Sequence, residues 1–413
     1  MARGCRVLMS EGSSLSARES LTGLGAAGCR VDVVDANPLC LARFSKWCAR
    51  LHRAPRFGDD PRGYLARVAE LLQAGSYDVL YPAREQAYLF ARHLGPLSHL
   101  AGLALPTFAT FERLQSKVSF IEVLEELGLP HPRTTVLRTA GAPRDGARCF
   151  PLYVKTALGT ATQGTFRVRS ERELSRLLEG LDLDEGVLLQ DVVEGRLGRA
   201  QSVFARGRLV GFHACVQVAE GVGGGDLVKE SVSLPAVREH VERLGGALGW
   251  HGGLSLDFIA DHDGRPWYID ANPRLAETGN ALAAGVNLPK LLVEVSLGAT
   301  PAGCEEGRPG VRTFMGLQAL LSAAAARGSR RAVLGAVADL VRRRGVLAGA
   351  SEELTPPADK ASLVPLALVG ATVLVLPRSW RSLAQRSVKA YAATPRVVDL
   401  VRETSDPSDT EPR

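Results

Sequence analysis

Apolar positions change their spacing along this chain, and the changes divide it. In the first hundred residues, short apolar runs alternate with helical stripes. Arg6–Ser10 reads as a strand. Ser16 with Glu19 three residues later forms a capping box that opens a helix through Leu21 and Leu24, and Gly28 ends it. Arg30–Asp35 (RVDVVD) is the second strand, a helix covers about Arg62–Leu72, and Tyr77–Tyr81 is the third strand, closed by Pro82. This order predicts an α/β domain built on a parallel sheet.

Residues 115–127 follow as an amphipathic helix, with Val118, Ile121, Leu124 and Leu127 on one stripe and Gly128 as its stop. The chain then turns strand-rich. Strands are expected at Pro151–Ala157, Thr165–Arg169, Val187–Val193, Gln201–Ala205, Arg208–Val218, Leu254–Asp261 and Pro266–Asn272, with a helix at Ser170–Leu178. That density with short turns predicts a largely antiparallel sheet. Beyond Asn287 the spacing is helical, with a break at Gly328-Ser329 and a linker at Ser351–Pro357. The division expected is 1–104 (α/β), 105–186 and 187–300 (two α+β subdomains), and 301–413 (mostly helical, with a disordered tail after Thr404).

Composition narrows the function classes. The 413 residues are 46% hydrophobic and 23% charged, as in ordinary globular proteins. A formal charge of +6 suits anionic ligands, but no aromatic residues interleave with the basic clusters at 330–331 and 342–344, so no nucleic-acid surface is expected. Seven cysteines without a CxxC pair argue against a disulfide framework or zinc site and for a reducing cytoplasm. The N-terminal apolar run is too short for a signal peptide. Residues 361–377 are apolar throughout, yet contain Pro365 and Gly370 and fall short of a membrane span. They are expected to form a buried helix; a membrane or partner contact through 361–389 is the less favoured reading.

The candidate chemistry lies in two strands. Asp257 precedes Asp270-Ala271-Asn272-Pro273-Arg274 by thirteen residues, and the hairpin turn Asp261-His262-Asp263-Gly264 lies between. The two carboxylates then sit side by side, and Asp270 and Asn272 share a face because the side-chain period is two. Three oxygen ligands on one face suit Mg²⁺. Arg274 is placed to fork onto a carboxylate or phosphate. The loop EGSSLS before the first helix lacks GxGxxG, which speaks against dinucleotide binding despite Asp35. His213, on an apolar strand, reads as a packed residue.

Asp257…Asp270-x-Asn-Pro-Arg, together with Lys155 on a strand followed by LGTATQG, resembles the ATP-grasp superfamily, in the branch of carbamoyl-phosphate synthetase and biotin carboxylase. The likeness covers roughly residues 105–298, and the preceding βαβ region resembles the family's N-terminal domain. It implies ATP and Mg²⁺ (or Mn²⁺) as cofactors. Lys117 and Lys155 match the family's ATP lysines. Gly159, Thr160, Thr162, Gln163 and Gly164 match its phosphate loop, and Gln190, Asp191, Val193 and Glu194 the hinge that meets adenine and ribose. Asp257, Asp270 and Asn272 match the metal ligands. Relatives commonly carry Glu at both acid positions and at the place of Asp191. Arg274 and Leu275–Gly285 resemble the substrate rim, and Gly221–Glu230 a mobile loop near it. The implied activity is an ADP-forming ligase that activates a carboxylate as an acyl phosphate and passes it to an amine, with Lys155 and Arg274 as catalytic residues. The alternatives are an ATP-dependent carboxylase or carbamoyl-phosphate-type enzyme, or a non-catalytic ATP-binding protein docking through its C-terminal region.

Overall fold

Valine-rich strands buried on both faces start the structure. The computed structural model describes residues 4–139, 149–159, 164–383 and 394–404. In order come β1 (Arg6–Met9), α1 (Leu15–Ala26), β2 (Arg30–Asp35), β3 (Cys48–Arg53), α2 (Pro61–Gly75) and β4 (Val79–Tyr81). They form an all-parallel sheet ordered β3-β2-β1-β4. Val7, Val31 and Val33 are fully buried, as covered parallel strands require. The pattern of β3, CARLHR, has no apolar run and gives no strand signal; its pairing with β2 makes it one. The cap of α1 is Ser14, not Ser16: Ser14 Oγ accepts from Ala17 N–H at 3.0 Å. Ser16 and Glu19 lie inside the helix and serve a distant loop instead. Ser16 Oγ accepts from Glu277 N–H (3.2 Å) and Glu19 from Gly279 N–H (2.7 Å).

Next come α3 (Gln86–Arg92), α4 (Leu94–Ser98), α5 (Phe108–Gln115) and α6 (Lys117–Glu126). The helix expected over 115–127 is α6, which starts at Lys117: Gln115 ends α5, and Ser116 is extended and caps α6 by accepting from Val118 N–H. Lys117 N–H donates to Ala157 O at 2.8 Å, which fixes the start of α6 beside the strand that carries Lys155.

The second sheet is antiparallel, in the order β5-β8-β6-β7, from β5 (Thr134–Leu137), β6 (Leu152–Thr156), β7 (Thr165–Val168) and β8 (Val187–Asp191). Leu174 and Leu178 of α7 (Glu171–Leu178) complete its core. The third sheet holds β9 (Arg196–Ala205), β10 (Arg208–Glu220), β11 (Asp226–Ser231), β12 (Gly252–Ala260), β13 (Pro266–Asn272), β14 (Glu305–Glu306), β15 (Arg312–Phe314) and β16 (Ser351–Glu352). Its path is β13-β12-β9-β10-β11-β15-β16, with β14 on β10. Helices α8 (Pro235–Ala247), α9 (Gly279–Ala283) and α10 (Leu288–Ser296) pack against it. The segment expected as a mobile loop, Gly221–Glu230, is half strand: after a glycine turn at 221–225, β11 pairs with β10 and β15 and buries Lys229.

The C-terminal part adds α11 (Gly316–Arg327), α12 (Arg330–Arg342), α13 (Leu363–Val375) and α14 (Pro395–Arg402). It is not purely helical, because β15 and β16 extend the large sheet. The first three helices meet around Leu320, Leu321, Ala324, Val333 and Val373. Val397, Val398 and Val401 of α14 return to the core against α2 and α3. The buried helix expected over 361–377 is not buried. Within α13 only Val373 is fully covered, because the layer has helices on one side of it and solvent on the other. Among the described residues no helix is long and apolar enough to cross a membrane. The tail expected to be disordered lies outside the described residues.

Gly252 joins the first sheet's region to the third: it enters β12 at φ +106°, and a Cβ there would overlap the backbone carbonyl of Ala104. Gly252→Ala should lower stability by about 2 kcal/mol or more. The check is the midpoint of urea unfolding; an unchanged midpoint would mean that the joint yields without cost.

Candidate active site

One face of the third sheet is polar, and its register explains why. Asp270 stands opposite Asp257, which stands opposite Arg199, which stands opposite Cys215. Two residues along lies the row Asn272, Ser255, Gln201, His213. Side chains two apart on a strand share a face, so both rows project to the same side.

Two lysines from other elements reach this face. Lys117, the first residue of α6, donates from Nζ to Asp270 Oδ1 at 3.0 Å. Lys155, on β6, donates from Nζ to the carbonyl oxygen of Ile269 at 3.0 Å. Burial pushes the Lys155 ammonium down to about 8, and the nearby Lys117 adds to this while Asp270 and Asp257 oppose it. The four groups thus lie within electrostatic reach of one another. Asp257 is raised above the usual carboxylate range, first by burial and also by Asp270, with Arg199 pulling the other way.

The donor set suits a divalent cation. Asn272 Nδ2 lies 3.5 Å from Asp257 Oδ2, and Arg199 Nε donates to Asp257 Oδ1 at 3.0 Å. Among the described residues, no three or more His, Cys, Asp and Glu side chains are grouped to hold a metal. A cation here would therefore rest on two carboxylates and one amide, completed by ligand oxygens. Mg²⁺ is commonly bound that way, through one or two carboxylates plus phosphates. The repulsion between two facing carboxylates is also what a divalent charge relieves.

The other expected residues are spread around this centre. Gly159 and Gly164 flank the segment 160–163; Thr160, Thr162 and Gln163 lie outside the described residues. Gly164 adopts φ +80°, and its carbonyl accepts from Thr156 N–H at 2.9 Å. Gln190 is buried and donates to Thr134 Oγ1 at 3.1 Å. Asp191 ends β8 and pairs with Leu152, three rungs from Lys155, or about 10 Å. Val193 is half-buried and Glu194 exposed. Arg274 does not open onto the polar face: it is 5% exposed and ion-paired with buried Glu85 at 2.6 Å. Burial pushes Glu85 up, but Arg274 and Arg84 outweigh it and hold the carboxyl below its ordinary range. His213 is buried, 2.8 Å from Asn280 Oδ1, and burial lowers it to about 4.

Sequence reading missed a set of charged residues at the rim. Arg199 contacts three carboxylates: Asp257, Asp226 (2.9 Å) and Glu277 (3.1 Å). Lys229 lies 2.9 Å from Glu353 and 3.6 Å from Glu277. Burial pushes Glu277 up, yet Arg199 and Lys229 bring it down to about 2. Its backbone is left-handed, φ +49°, which a non-glycine residue adopts at a cost. Burial and the neighbouring Glu353 raise Glu19 well above its ordinary range. A local signal for Arg199 was its place two residues before Gln201 on a strand; its register with Asp257, 58 residues on, was not legible. Lys229 and Glu353 had none, because their partners are far away in the chain.

No family model matches the chain. It is 26% identical over 298 residues to the carbamoyl phosphate synthase large chain of Deinococcus radiodurans, a match covering 67% of this chain and 28% of the relative. The chain therefore spans little more than a quarter of that relative's length. Its fold is similar to a biotin carboxylase–β-γ-ATP complex from Campylobacter jejuni, with TM-score 0.61, 16% identity and 75% of each chain covered. It is also similar to L-amino acid ligase from Bacillus licheniformis, with TM-score 0.56, 18% identity, and 73% of this chain and 76% of that one covered. The chain has the fold of the ATP-grasp superfamily.

Proposed function

We propose that the chain is an ATP-dependent ligase that joins a carboxylate to an amine with release of ADP and phosphate. The observation that carries this reading is the convergence of Lys117 and Lys155, from two separate elements, on the carboxylate pair Asp257 and Asp270. A site with two ammonium groups facing two acids is neutral on its own. It becomes a polyphosphate site once a divalent cation takes the acids and frees Lys117 from Asp270, with Lys155 held on the Ile269 carbonyl. The fold neighbours, which include a β-γ-ATP complex and an amino acid ligase, support the same reading.

Asp257, Asp270 and Asn272 would hold Mg²⁺, which supplies charge neutralisation at the phosphates. Lys117 and Lys155 are point charges held in place before the nucleotide arrives, so little reorganisation accompanies reaction. The segment between Gly159 and Gly164 is assigned to the phosphates, and Gln190, Asp191, Val193 and Glu194 to the adenine and ribose. In the first step a carboxylate oxygen attacks the γ-phosphorus, the bond to ADP breaks, and an acyl phosphate forms. In the second, the amine nitrogen attacks the acyl carbon, phosphate leaves, and the amine gives up one proton. Positioning and electrostatics dominate such transfers. Arg274, pinned by Glu85, bounds the acceptor side and fixes the start of the loop that carries Glu277.

Asp270→Ala and Lys155→Ala are expected to reduce carboxylate-dependent ADP release at least about a hundredfold while leaving the thermal melt in place. Turnover intact in both would remove the proposal. A second expectation concerns pH. Lys155 is protonated below about 8 and loses its charge as pH rises through that value. Affinity for ATP should therefore weaken from pH 7 to pH 9, and Lys155→Arg should flatten the profile, because guanidinium stays charged. Calorimetric titration at four pH values makes the comparison; identical profiles for both proteins would exclude Lys155 as the titrating group.

A further inference from the structure

The strongest feature outside the site is a surface. Nine of the thirteen large apolar side chains that stand exposed among the described residues fall between 334 and 376. On α12 they are Leu334, Val337 and Val341, at helical spacing, with Val341 78% exposed. On α13 they include Val364, Leu368 (58%) and Val375, with Leu376 following. α13 buries its opposite stripe, Leu366, Val369 and Val373, and α12 an adjacent one, Val333, Ala336 and Leu340, both against the cluster built on α11. Scattered exposed leucines are ordinary, but a concentration on two adjacent helices is an uncovered apolar face.

Charge identifies what covers it. The stretches 330–344 and 363–383 carry seven arginines (330, 331, 342, 343, 344, 378 and 381) against one acid, Asp339. Arg330 donates to the carbonyl of Val375 at 3.1 Å, which brings the start of α12 to the end of α13. Arg330 and Arg331 therefore gather with Arg378 and Arg381 at the end where Val375 and Leu376 are exposed. A second copy of this chain would set arginines against arginines, so the face is not built for self-association. The exposed side chains are leucine and valine throughout, without the aromatic anchors that centre protein interfaces. Aliphatic side chains ringed by arginine match the acyl boundary and headgroups of an anionic bilayer. At thirteen residues α13 is about 20 Å long, too short to span a membrane and suited to lying on one.

We propose that α12 and α13 form a docking face for an anionic lipid surface. The face sits near the acceptor rim: Gln318 of α11 accepts from Val222 N–H at 3.1 Å, in the glycine turn that leads into Asp226. Docking would thus place the bilayer beside that turn.

The test is co-sedimentation of the full chain with vesicles of phosphatidylcholine alone or mixed equally with phosphatidylglycerol, at low and high salt. The expected result is pelleting with the mixed vesicles only, weakened by salt. Val341→Glu combined with Leu368→Glu should lower the partition coefficient roughly tenfold or more, with an unchanged melting temperature. Arg330, Arg331, Arg378 and Arg381 changed together to Gln leave the apolar contacts alone and should remove the preference for phosphatidylglycerol. Three outcomes would overturn the proposal: no pelleting with mixed vesicles, equal partition of wild type and both variants, or a dimer in light scattering that the glutamate variant dissociates while lipid binding is absent.

Discussion

Two carboxylates placed opposite one another on adjacent strands are the constraint from which the rest of this centre follows. The hairpin of β12 and β13 puts Asp257 beside Asp270 whatever else happens, since strand register is fixed by the apolar face beneath. Half-buried and close, they need cations. Arg199 comes from the neighbouring strand in register, and Lys117 comes from the start of α6. The extended Ser116 between α5 and α6 makes Lys117 the first residue of its helix.

The same logic, repeated one layer out, ties the chain's regions together. Lys229 of the large sheet meets Glu353 from the C-terminal part and Glu277 from the loop after β13; Glu19 of α1 holds that loop through Gly279. Buried ion pairs are poor sources of net stability but strong selectors of one arrangement, since any slip leaves a charge uncompensated. Here the selected arrangement is a loop with a left-handed Glu277, aimed at Arg199 and through it at Asp257. Glu19 and Glu353, from the first and last parts of the chain, therefore act on the centre by positioning.

What the sequence disclosed is what short-range periodicity encodes. Period two placed Asp257, Asp270 and Asn272 on one face, and the βαβ rhythm gave the parallel first sheet. What stayed hidden depends on partners remote in the chain. Arg274 has the right position in its motif, yet Glu85, 189 residues earlier, holds it in the interior. Ser16 and Glu19 match a capping box, but the amides of Glu277 and Gly279 take both side chains, and Ser14 caps instead. The apolar run at 361–377 reads as core because composition records what a segment can bury, not whether anything is there to bury it. Strand β3 is the converse: polar in pattern, and a strand because β2 offers an edge.

The claim on which the account stands is that lysines from two elements and acids from a third surround one polyphosphate. A crystal structure of the chain grown with ADP and Mg²⁺ tests it most directly. The diphosphate is expected within hydrogen-bond distance of Lys155 Nζ, and a metal at about 2.1 Å from an oxygen of Asp270. A nucleotide bound away from these groups, with Lys117 still on Asp270 and no metal between Asp257 and Asp270, would contradict it.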